Sequence, residues 1–554
     1  MDPTITLDPR VLDRARRSRD PRFDGRFFMA VTTTGSYCRP ICPAAPTPKR
    51  ANVRYFPSAA AAAEAGFRPC LRCRPEAAPG TPAWLGTSAV VRRALRLIEE
   101  GALDDTSVEA FAARVGIGAR HLNRLFVQHV GASPIAVALT RRLHFAKRLI
   151  DQTSLSMTDI ALASGFGSLR RFNDAFRSAY ARSPRDIRRG SATALDGARP
   201  DGARPGVRVE PPEAIVLRLA YRPPYDWAGV REFLAARALR GVERVDDHGY
   251  ARTIALPTGP ATIRVRPVAG RNELELIAQG APPAALLQLS LTARRMFDLA
   301  ADPALTAGAL RRDALLGPLV RRRPGLRIPG VWDPFECAVR AVLGQQVSVA
   351  AGRTFACRLV ERTGLQAPQS TEGLTHLFPK PEAIVRADLN GIGINSARIA
   401  CLRALAQAVI DGKLSFEAPA EEVVSALERL PGIGAWTAQY IVLRALGEPD
   451  AFPAADIVLR RMAAGEEPVL TARLLEQRAE GWRPWRSYAV MHLWRAAGEL
   501  TAAARRERLR QGARTRVHAS GRPRGRPRRA EEGLRATNTR IGGTASVNGR
   551  GVEP

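Results

Sequence analysis

Four cysteines near the N-terminus have the spacing of a metal site. Three residues separate Cys38 from Cys42, two separate Cys70 from Cys73, and 27 residues lie between the two pairs. Each short pair can present two thiolates, and two such pairs make the tetrahedral all-sulfur site that Zn²⁺ favours. No histidine lies in this segment, so the four cysteines are the natural ligands. Disulfides are the alternative, but the N-terminus carries no secretion signal, and the basic chain suits a reducing cytosol.

A glycine turn and a later aspartate form a second candidate site. The segment LPGIGAWTAQY at 430–440 fits a hairpin between two helices, in which Gly432 and Gly434 leave backbone N–H groups exposed to hold one phosphate. Asp456 follows within AFPAADIVLRR, at an expected helix start. The spacing alone allows two interpretations of this aspartate, a catalytic carboxylate or an ordinary N-cap.

Residues 81–190 hold two copies of one helical pattern. In each copy an apolar helix is followed by a short turn with glycine and by a second helix with basic and amide side chains, as a helix-turn-helix requires. A generic amphipathic bundle is the alternative. The candidates for contact with DNA are Arg120, His121, Asn123 and Arg124 in the first copy, and Arg170, Arg171 and Asn173 in the second.

The net charge indicates a polyanionic partner for these sites. The chain of 554 residues carries 84 Lys and Arg against 53 Asp and Glu, a formal net charge of +31. Nucleic acid is the expected partner, and a GC-rich coding sequence is the alternative source of so many arginines. The sequence contains no long apolar stretch, so we expect no membrane span and no membrane partner. The expected location is the cytoplasm, close to the nucleoid.

The elements that must position these residues belong to a multidomain, mainly α-helical chain. Composition and periodicity predict a small zinc-bound α+β domain, a double helix-turn-helix, a linker, a second α+β domain, an all-helical domain that contains the hairpin, and a disordered basic tail. The predicted bounds are, in that order, 1–80, 81–190, 191–212, 213–325, 326–500 and 501–554.

The tail at 501–554 concentrates charge, with 14 Arg against 4 Glu. Within it GRPRGRPRR at 521–529 resembles an AT-hook, and the resemblance implies that Arg524 and Arg526 enter the narrow minor groove of A·T tracts. A low-complexity basic tail that holds DNA without sequence preference is the alternative.

The sequences around the cysteines, TTTGSYCRPICP and AGFRPCLRCRPE, resemble the zinc domain of the Ada family. The resemblance implies that one zinc-bound cysteine, here Cys38, accepts the methyl group of a methylphosphotriester in the DNA backbone. Four thiolates on Zn²⁺ carry a net charge of about −2, which keeps the sulfur nucleophilic at neutral pH. Methylation removes one negative charge, so we expect it to strengthen DNA binding.

The second helical copy resembles the AraC-type transcription regulators. The residues that carry the resemblance are Ile160-Ala161, Gly165-Phe166, Phe172, Phe176-Arg177 and Ser183-Pro184. Arg170 stands where a small hydroxyl residue is usual, and Ala181 where glycine is common. The resemblance implies binding to promoter DNA, activation of the adaptive response and contact with RNA polymerase.

Three stretches of the second half resemble the AlkA-type alkylpurine glycosylases of the helix-hairpin-helix superfamily. They are YRPPYDWAGVREFLAARALRGVE, RPGLRIPGVWDPFECAVRAVLGQQVSVA and WRPWRSYAVMHLW. The resemblance implies that Asp456 is the catalytic carboxylate. It implies that the pocket of a flipped base is lined by Trp436, Tyr440 and Trp494, and that DNA contacts come from Gly432, Gly434, Gln345 and Gln346. Gln346 stands where these enzymes have a leucine wedge.

Two features narrow the chemistry. Trp436 stands where family members that also cut the backbone carry a lysine, and without an amine no Schiff base forms. We therefore expect a monofunctional glycosylase. Cys337, Cys357 and Cys401 all precede Asp456, so an iron–sulfur cluster is not expected.

Together these motifs predict a monomeric repair protein for alkylated double-stranded DNA. It would excise alkylated purines of the 3-methyladenine type, accept methyl groups once at a site with one Zn²⁺, and regulate transcription. Two alternatives stay open. In one, the chain is a methylation-sensing transcription factor whose glycosylase half is degenerate. In the other, the zinc and helix-turn-helix parts only anchor a glycosylase to DNA.

Overall fold

The structure, a computed structural model, describes residues 8–79, 89–189, 214–367, 373–465 and 468–520. Of these described residues, those up to Ala497 form one compact unit, and those from Gly498 to Ser520 belong to a second. The expected linker and the AT-hook-like Arg524 and Arg526 lie outside the described residues. Within those residues, no helix combines the length and the apolar character that a membrane crossing needs.

The first segment, residues 8–79, is a small sheet flanked by helices, and we name it the cysteine segment. Its elements are α1 (Pro9–Ser18), β1 (Phe28–Val31), β2 (Ser36–Cys38), β3 (Val53–Phe56), α2 (Ala59–Glu64) and β4 (Arg68–Pro69). The strand order is β3-β1-β2-β4, antiparallel except for the parallel pair of β2 and β4. Asp8 begins α1 by accepting the N–H of Arg10 at 2.8 Å. The predicted α+β fold is confirmed here.

Residues 89–189 form the helix-turn-helix segment. Its helices are α3 (Ala89–Glu99), α4 (Val108–Val115), α5 (Ala119–Val130), α6 (Pro134–Gln152), α7 (Met157–Ala163) and α8 (Leu169–Tyr180), followed by a short helix at 184–189. Serine side chains begin four of these helices by accepting a backbone N–H three residues on; they are Ser107, Ser133, Ser156 and Ser168. The helix pairs α4–α5 and α7–α8 are the two copies that the sequence pattern predicts.

Residues 214–325 form the sheet segment. The elements are β5 (Ile215–Ala220), α9 (Trp227–Ala235), β6 (Glu243–Asp246), β7 (Gly249–Leu256), β8 (Gly259–Pro267), β9 (Glu273–Gln279), α10 (Leu286–Met296), α11 (Pro303–Leu310) and α12 (Leu316–Arg322). All pairs are antiparallel, in the order β5-β9-β8-β7-β6. Alternate residues of β8 (Ala261, Ile263, Val265) are buried, as expected for a sheet with one face on a core.

Residues 326–497 form the hairpin segment, which is helical apart from isolated bridges. The helices are α13 (Pro334–Leu343), α14 (Val349–Thr363), α15 (Pro381–Arg386), α16 (Ser396–Ile410), α17 (Ala420–Glu428), α18 (Ala435–Ile441), α19 (Ile457–Ala464), α20 (Ala472–Ala479) and α21 (Arg486–Ser520). Helix α18 continues into one π-helical turn, Val442–Leu446. Helix α21 continues to Ser520, so residues 501–520, which were predicted to belong to a disordered tail, are helical, in keeping with their many Ala, Arg and Glu residues.

The helix-turn-helix and sheet segments share one apolar core. Leu149, Ile160 and Phe176 of the first are buried in the same cluster as Leu219 and Leu276 of the second. The backbone N–H of Arg218 donates to Gln152 Oε1 at 2.9 Å across the same interface. The cysteine segment joins this body through the almost buried ion pair of Arg26 with Asp302. The segments therefore pack as one compact body.

Candidate functional site

The four cysteines come together at one end of the small sheet. Their Sγ atoms all lie within 4.8 Å of one another, and four sulfurs around one tetrahedral Zn²⁺ at 2.3 Å would lie about 3.8 Å apart. Strand β2 ends at Cys38, and its pairing with β4, Tyr37 opposite Pro69, brings Cys70 beside it. The cluster, which we name the thiolate cluster, therefore fits one Zn²⁺ bound by four cysteines, as predicted.

Arg39 supports the charge that four thiolates carry. Its backbone N–H donates to Cys73 Sγ at 3.3 Å, and its guanidinium donates to the Cys73 carbonyl at 3.2 Å and to Asp24 at 2.9 Å. Hydrogen bonds to the charged form favour a thiolate. Cys38 is only 5% exposed, whereas Cys70 is at an intermediate exposure. The predicted methyl acceptor is thus not the most exposed cysteine of the cluster.

A hydrogen bond ties the strand of Cys38 to helix α6. The hydroxyl of the buried Tyr37 lies 2.9 Å from His144 Nε2. Burial lowers the pKa of His144 to about 4, so its ring is neutral at pH 7. Nearby, Lys147 donates to Asp151 at 2.5 Å and to Glu76 at 3.4 Å. No spacing in the sequence pointed to this connection between the thiolate cluster and the helix-turn-helix segment.

The candidate DNA-reading residues lie on the outer faces of α5 and α8. Leu122 and Phe126 anchor α5, and Phe172 and Phe176 anchor α8, all of them fully buried. The predicted contact residues Arg120, His121, Asn123, Arg124, Arg170 and Arg171 are exposed, and Asn173 is half-buried. The ion pair of Arg170 with Asp174 is 4.0 Å long and exposed, so it contributes little to stability and leaves Arg170 available to a phosphate or base.

The two copies differ at the end of the second helix. Helix α5 ends at Gly131 with φ +77°, and α8 ends at Ala181 with φ +54°, both in the left-handed region. Glycine adopts this conformation without strain, whereas an alanine there costs on the order of 1 kcal/mol. The departure at Ala181 thus places a small strain at the end of the second DNA-reading helix.

Asp456 is the N-cap of α19 and lies against Trp436 of α18. Its Oδ1 accepts the backbone N–H groups of Val458 and Leu459, each at 2.9 Å, and its Oδ2 accepts the indole N–H of Trp436 at 2.9 Å. The two interpretations of the sequence are therefore compatible. This carboxylate is half-buried at the N-terminus of α19.

Three half-buried aromatic residues form a continuous wall beside Asp456, and we name wall and carboxylate the aromatic pocket. Trp436 and Tyr440, one turn apart on α18, are stacked with ring centroids 5.4 Å apart and planes at 12°. The Trp494 ring lies 6.0 Å from that of Tyr440. The structure thus brings together the four pocket residues that the sequence singled out.

Arg444 fixes this wall from behind, and sequence reasoning missed it. The buried guanidinium donates to the Tyr440 hydroxyl at 3.0 Å and to the Gly330 carbonyl at 3.1 Å. It also lies over the ring of Phe233, 4.5 Å from the centroid. The available signal was its position four residues after Tyr440, which places both side chains on one face of the helical run.

The glycine hairpin joins α17 to α18 as predicted. Gly432 has φ +84°, and a Cβ there would meet Cys401 at 3.3 Å, so both conformation and space favour glycine. Gln345 donates from its amide to the Gly432 carbonyl at 2.8 Å and to Thr437 Oγ1 at 3.1 Å. This side chain therefore holds the hairpin from inside, whereas the exposed Gln346, with φ +55°, projects from the loop between α13 and α14.

Three family descriptions match the chain one after another. The metal binding domain of Ada matches residues 12–76, a helix-turn-helix domain matches 111–190, and the AlkA N-terminal domain matches 216–333. The order is that of the three resemblances predicted from the motifs.

One relative spans nearly the whole chain. The probable bifunctional transcriptional activator/DNA repair enzyme AlkA of Mycobacterium tuberculosis (strain CDC 1551 / Oshkosh) is 41% identical over 483 residues, which are 87% of this chain and 95% of the relative. The chain belongs to this bifunctional AlkA family. The predicted fusion of an Ada-type regulator half with an AlkA-type half is thereby confirmed.

Two further similarities concern the AlkA half. DNA-3-methyladenine glycosylase 2 of Escherichia coli (strain K12) is 37% identical over 286 residues, which are 50% of this chain and 97% of the relative. Among solved structures, a 3-methyladenine DNA-glycosylase from Archaeoglobus fulgidus is similar with a TM-score of 0.45 and 21% identity, over 50% of this chain and 97% of that one.

Proposed function

We propose that this member of the bifunctional AlkA family excises alkylated purines from DNA and regulates transcription in response to alkylation. Its relatives carry both functions in their names, as activator and repair enzyme and as 3-methyladenine glycosylase. The observation that carries the glycosylase part is the hydrogen bond from Trp436 to Asp456. It joins an aromatic wall, suited to a flipped base, to a carboxylate held at a helix N-terminus.

The aromatic pocket suits a leaving group that is already activated. An alkylated purine such as 3-methyladenine is cationic in the nucleotide, so it stacks favourably on electron-rich indoles. The glycosidic bond breaks toward the base, which departs with the bonding pair as a neutral molecule. Asp456 stabilises the oxocarbenium charge that develops on the sugar, and water then adds there and loses a proton. The three N–H donors to Asp456 hold the carboxylate in one orientation throughout.

A base-release assay tests the glycosylase directly. Duplex DNA that contains 3-methyladenine is incubated with wild type, Asp456→Asn and Asp333→Asn. Asparagine also caps helices, so Asp456→Asn removes the negative charge and keeps the cap of α19. We expect the release of 3-methyladenine to fall at least 100-fold. Asp333 caps α13 with the same pair of backbone bonds, so its variant is the matched control. Absence of release by wild type would show that the glycosylase half is degenerate.

The product of this reaction is an abasic site. Trp436 offers no amine to the sugar, so no Schiff base forms and the backbone stays intact. Electrophoresis of the same reactions therefore shows strand breaks only after alkaline treatment. Breaks without alkali would contradict a monofunctional glycosylase.

The thiolate cluster would accept methyl groups from methylphosphotriesters in the DNA backbone. Zn²⁺, when bound, keeps the four sulfurs as thiolates at neutral pH. The Cys38 sulfur attacks the methyl carbon, an S–C bond forms, the C–O bond breaks, and the phosphate departs as an ordinary diester anion. Each cluster acts once, because the thioether is stable. The match to the metal binding domain of Ada supports this methyl transfer. So do the four Sγ atoms, which all lie within 4.8 Å of one another.

Peptide mass spectrometry tests this transfer and assigns the acceptor. The zinc-loaded protein is incubated with methylphosphotriester DNA, and the peptides of Cys38 and Cys70 are resolved. We expect the added methyl group on Cys38, although Cys70 is more exposed. Methylation of Cys70 would reassign the acceptor, and an unmodified cluster would leave the cysteine segment as a DNA anchor.

The helix-turn-helix segment would direct the protein to promoters through the outer faces of α5 and α8. The methylated thiolate cluster carries one negative charge less, so its repulsion of DNA falls. We further propose that the protein acts as a monomer near the nucleoid, recruits RNA polymerase, and uses the basic tail to stay on DNA. In vitro transcription with methylated and unmethylated protein tests the switch, and light scattering tests the monomer.

A further inference from the structure

Helix α1 presents a row of arginines on its outer side. Arg10, Arg14 and Arg17 follow one another at intervals of four and three residues, so they share one face of the helix. All three residues are exposed. Leu12 and Ala15, on the opposite side, are buried in the core of the cysteine segment.

The row borders an open groove of about 770 Å³, which Arg50 also lines. Asp13 is the acidic residue of its lining. The Asp13 carboxylate accepts a bond of 2.6 Å from the buried Arg16 and one of 3.1 Å from the Tyr55 hydroxyl. Arg17 also pairs with Asp13, with its Nε 2.8 Å from Oδ2. One carboxylate thus faces the guanidinium groups of both Arg16 and Arg17, and the surface keeps an excess of positive charge from the exposed Arg10, Arg14 and Arg50. We name this surface, formed by Arg10, Arg14, Arg17 and Arg50, the arginine groove.

The register of the small sheet places the arginine groove on the same side as the thiolate cluster. Met29 of the central strand β1 lies opposite Cys38 of β2 and, on its other side, opposite Tyr55 of β3. Directly opposite residues project to the same face, and neighbouring strands lie about 4.8 Å apart, so Tyr55 is about 10 Å from Cys38 along the backbone layer. The Tyr55 hydroxyl donates to Asp13 of α1. Helix α1 therefore adjoins the Tyr55 end of the row formed by Cys38, Met29 and Tyr55.

We propose that the arginine groove binds the DNA phosphates that flank the methylphosphotriester on which Cys38 acts. The inference rests on the methyl transfer proposed above. The triester itself is neutral, but each neighbouring phosphate is negative and is repelled by a thiolate cluster of about −2. A distance of about 10 Å corresponds to about three nucleotides along the axis of one strand. The arginines lie farther out, on the outer side of α1, so they would meet phosphates at least that far along the strand, offset the repulsion there and hold the triester at the sulfur.

The groove would also make the reaction sensitive to salt. Each phosphate contact that an arginine makes releases condensed counterions, which changes the slope of log affinity against log salt concentration by about 0.9. Because the methylphosphotriester is uncharged, its own contact with the protein adds nothing to this dependence of affinity on salt. The salt dependence of the transfer therefore reports on the flanking contacts separately from the chemistry.

The test uses the full-length, zinc-loaded protein with Arg10→Gln, Arg14→Gln and Arg17→Gln combined. Glutamine keeps the helix propensity of α1 and removes the charge. The matched control combines Arg311→Gln, Arg312→Gln and Arg321→Gln, which remove three exposed charges from the sheet segment.

Two quantities are measured between 50 and 200 mM salt. The first is the rate of methyl transfer from methylphosphotriester DNA. The second is the affinity for a duplex with one methylphosphonate, an unreactive neutral analogue. For the α1 variant we expect transfer at least tenfold slower at 50 mM salt, and both salt slopes shallower by roughly two to three. The control should keep the wild-type values.

The outcomes separate this inference from the methyl transfer. If wild type is methylated and the α1 variant matches the control, the groove is not a phosphate site and the transfer stands. If wild type takes no methyl group but the affinity slopes differ, the transfer fails and the groove remains a phosphate site. If neither quantity distinguishes the variants and wild type takes no methyl group, both fail.

Discussion

The thiolate cluster lies at strand ends of the small sheet and is largely buried, whereas the aromatic pocket is built on helices and is half-buried. Cys38, Cys42 and Cys73 are buried, and the aromatic wall and Asp456 are all half-buried. The difference follows from the chemistry proposed for each. A nucleophile that reacts once must be protected until its substrate arrives. A pocket that turns over must admit each flipped base and release it.

The two centres also differ in what holds them in place. The thiolate cluster depends on contacts distant in sequence, such as the parallel pairing of β2 with β4 and the bond of Arg39 to Asp24. The aromatic pocket depends largely on one helical run, in which Trp436, Tyr440 and Arg444 recur every four residues. The two activities should therefore be separable by single substitutions.

The largest expected effect is complete loss of one activity without the other. Cys38→Ser removes the accepting thiolate, so methyl transfer should vanish, while release of 3-methyladenine should stay within twofold of wild type. Transfer is measured by mass spectrometry and release by chromatography of the free base. Cys357→Ser, outside the thiolate cluster, is the control. A parallel loss of base release would show that the centres are coupled.

Next in size is the loss of the bond that orients Asp456. Trp436→Phe keeps an aromatic ring in the wall but removes the indole N–H that donates to the carboxylate. A hydrogen bond to a charged group contributes about 1.5–3 kcal/mol, so single-turnover base release should slow about 10- to 100-fold. Trp332→Phe provides a matched control outside the wall. An unchanged rate would mean that the caps of α19 alone orient Asp456.

A pH effect should appear on the side of the thiolate cluster. The pKa of His144 is lowered to about 4 in the folded protein, while its ordinary value is about 6.5. Below pH 6.5 His144 is protonated in the unfolded chain but stays neutral in the folded chain. The free energy of unfolding therefore decreases as the pH falls. Relative to His144→Gln, wild type should lose about 2 kcal/mol of opening free energy in α6 between pH 7.5 and pH 5.

Hydrogen exchange of the α6 backbone amides measures this difference. His121→Gln, at an exposed position of α5, is the control and should keep the wild-type pH dependence. The amides around the aromatic wall on α18 should respond equally in all three proteins. If the difference in α6 opening free energy between wild type and His144→Gln stayed constant across the pH range, the imidazole would not be buried and neutral.

The smallest expected effect lies outside both centres. Ala181→Gly relieves the left-handed strain at the end of α8 and should stabilise that helix by about 0.5–1 kcal/mol, measured by hydrogen exchange. Neither activity should change. In the first copy Gly131→Ala should destabilise the end of α5 by more than Ala181→Gly stabilises α8, because its Cβ would meet Pro57 at 2.9 Å. A destabilising Ala181→Gly would show that the alanine methyl group makes a favourable contact.

Sequence patterns predicted the parts of both centres that depend on short-range spacing. The cysteine pairs specify their ligands because each pair spans a single turn. The resemblance to the AlkA-type glycosylases assigned Trp436 and Tyr440 to one pocket, and their spacing of four residues agrees with one face of α18. The position of Asp456 at an expected helix start allowed two interpretations, an N-cap or a catalytic carboxylate, and the structure shows the cap. The alternation of β8 and the two helix-turn-helix copies were predictable for the same reason.

Contacts between distant segments were not predictable, because no local period encodes which side chains meet across an interface. The amide of Gln345, a predicted DNA contact, donates to the Gly432 carbonyl and so holds the hairpin. Arg444, which donates to the Tyr440 hydroxyl, also donates to the carbonyl of Gly330, more than a hundred residues away in sequence. The bond of Tyr37 to His144 likewise joins two segments that the motifs treat as independent.

The sequence by itself determined the four thiols that fit one Zn²⁺, because the spacing within each cysteine pair is local. The roles predicted for Trp436, Tyr440 and Asp456 came from the resemblance to the AlkA-type glycosylases. Only the tertiary structure decided how deeply Cys38 is buried, and that α1 is bound through Asp13 to Tyr55, which shares a sheet face with Cys38. Burial and proximity depend on how the sheet, the helices and the segments pack. That packing is a property of the whole compact body, not of any single stretch of the chain.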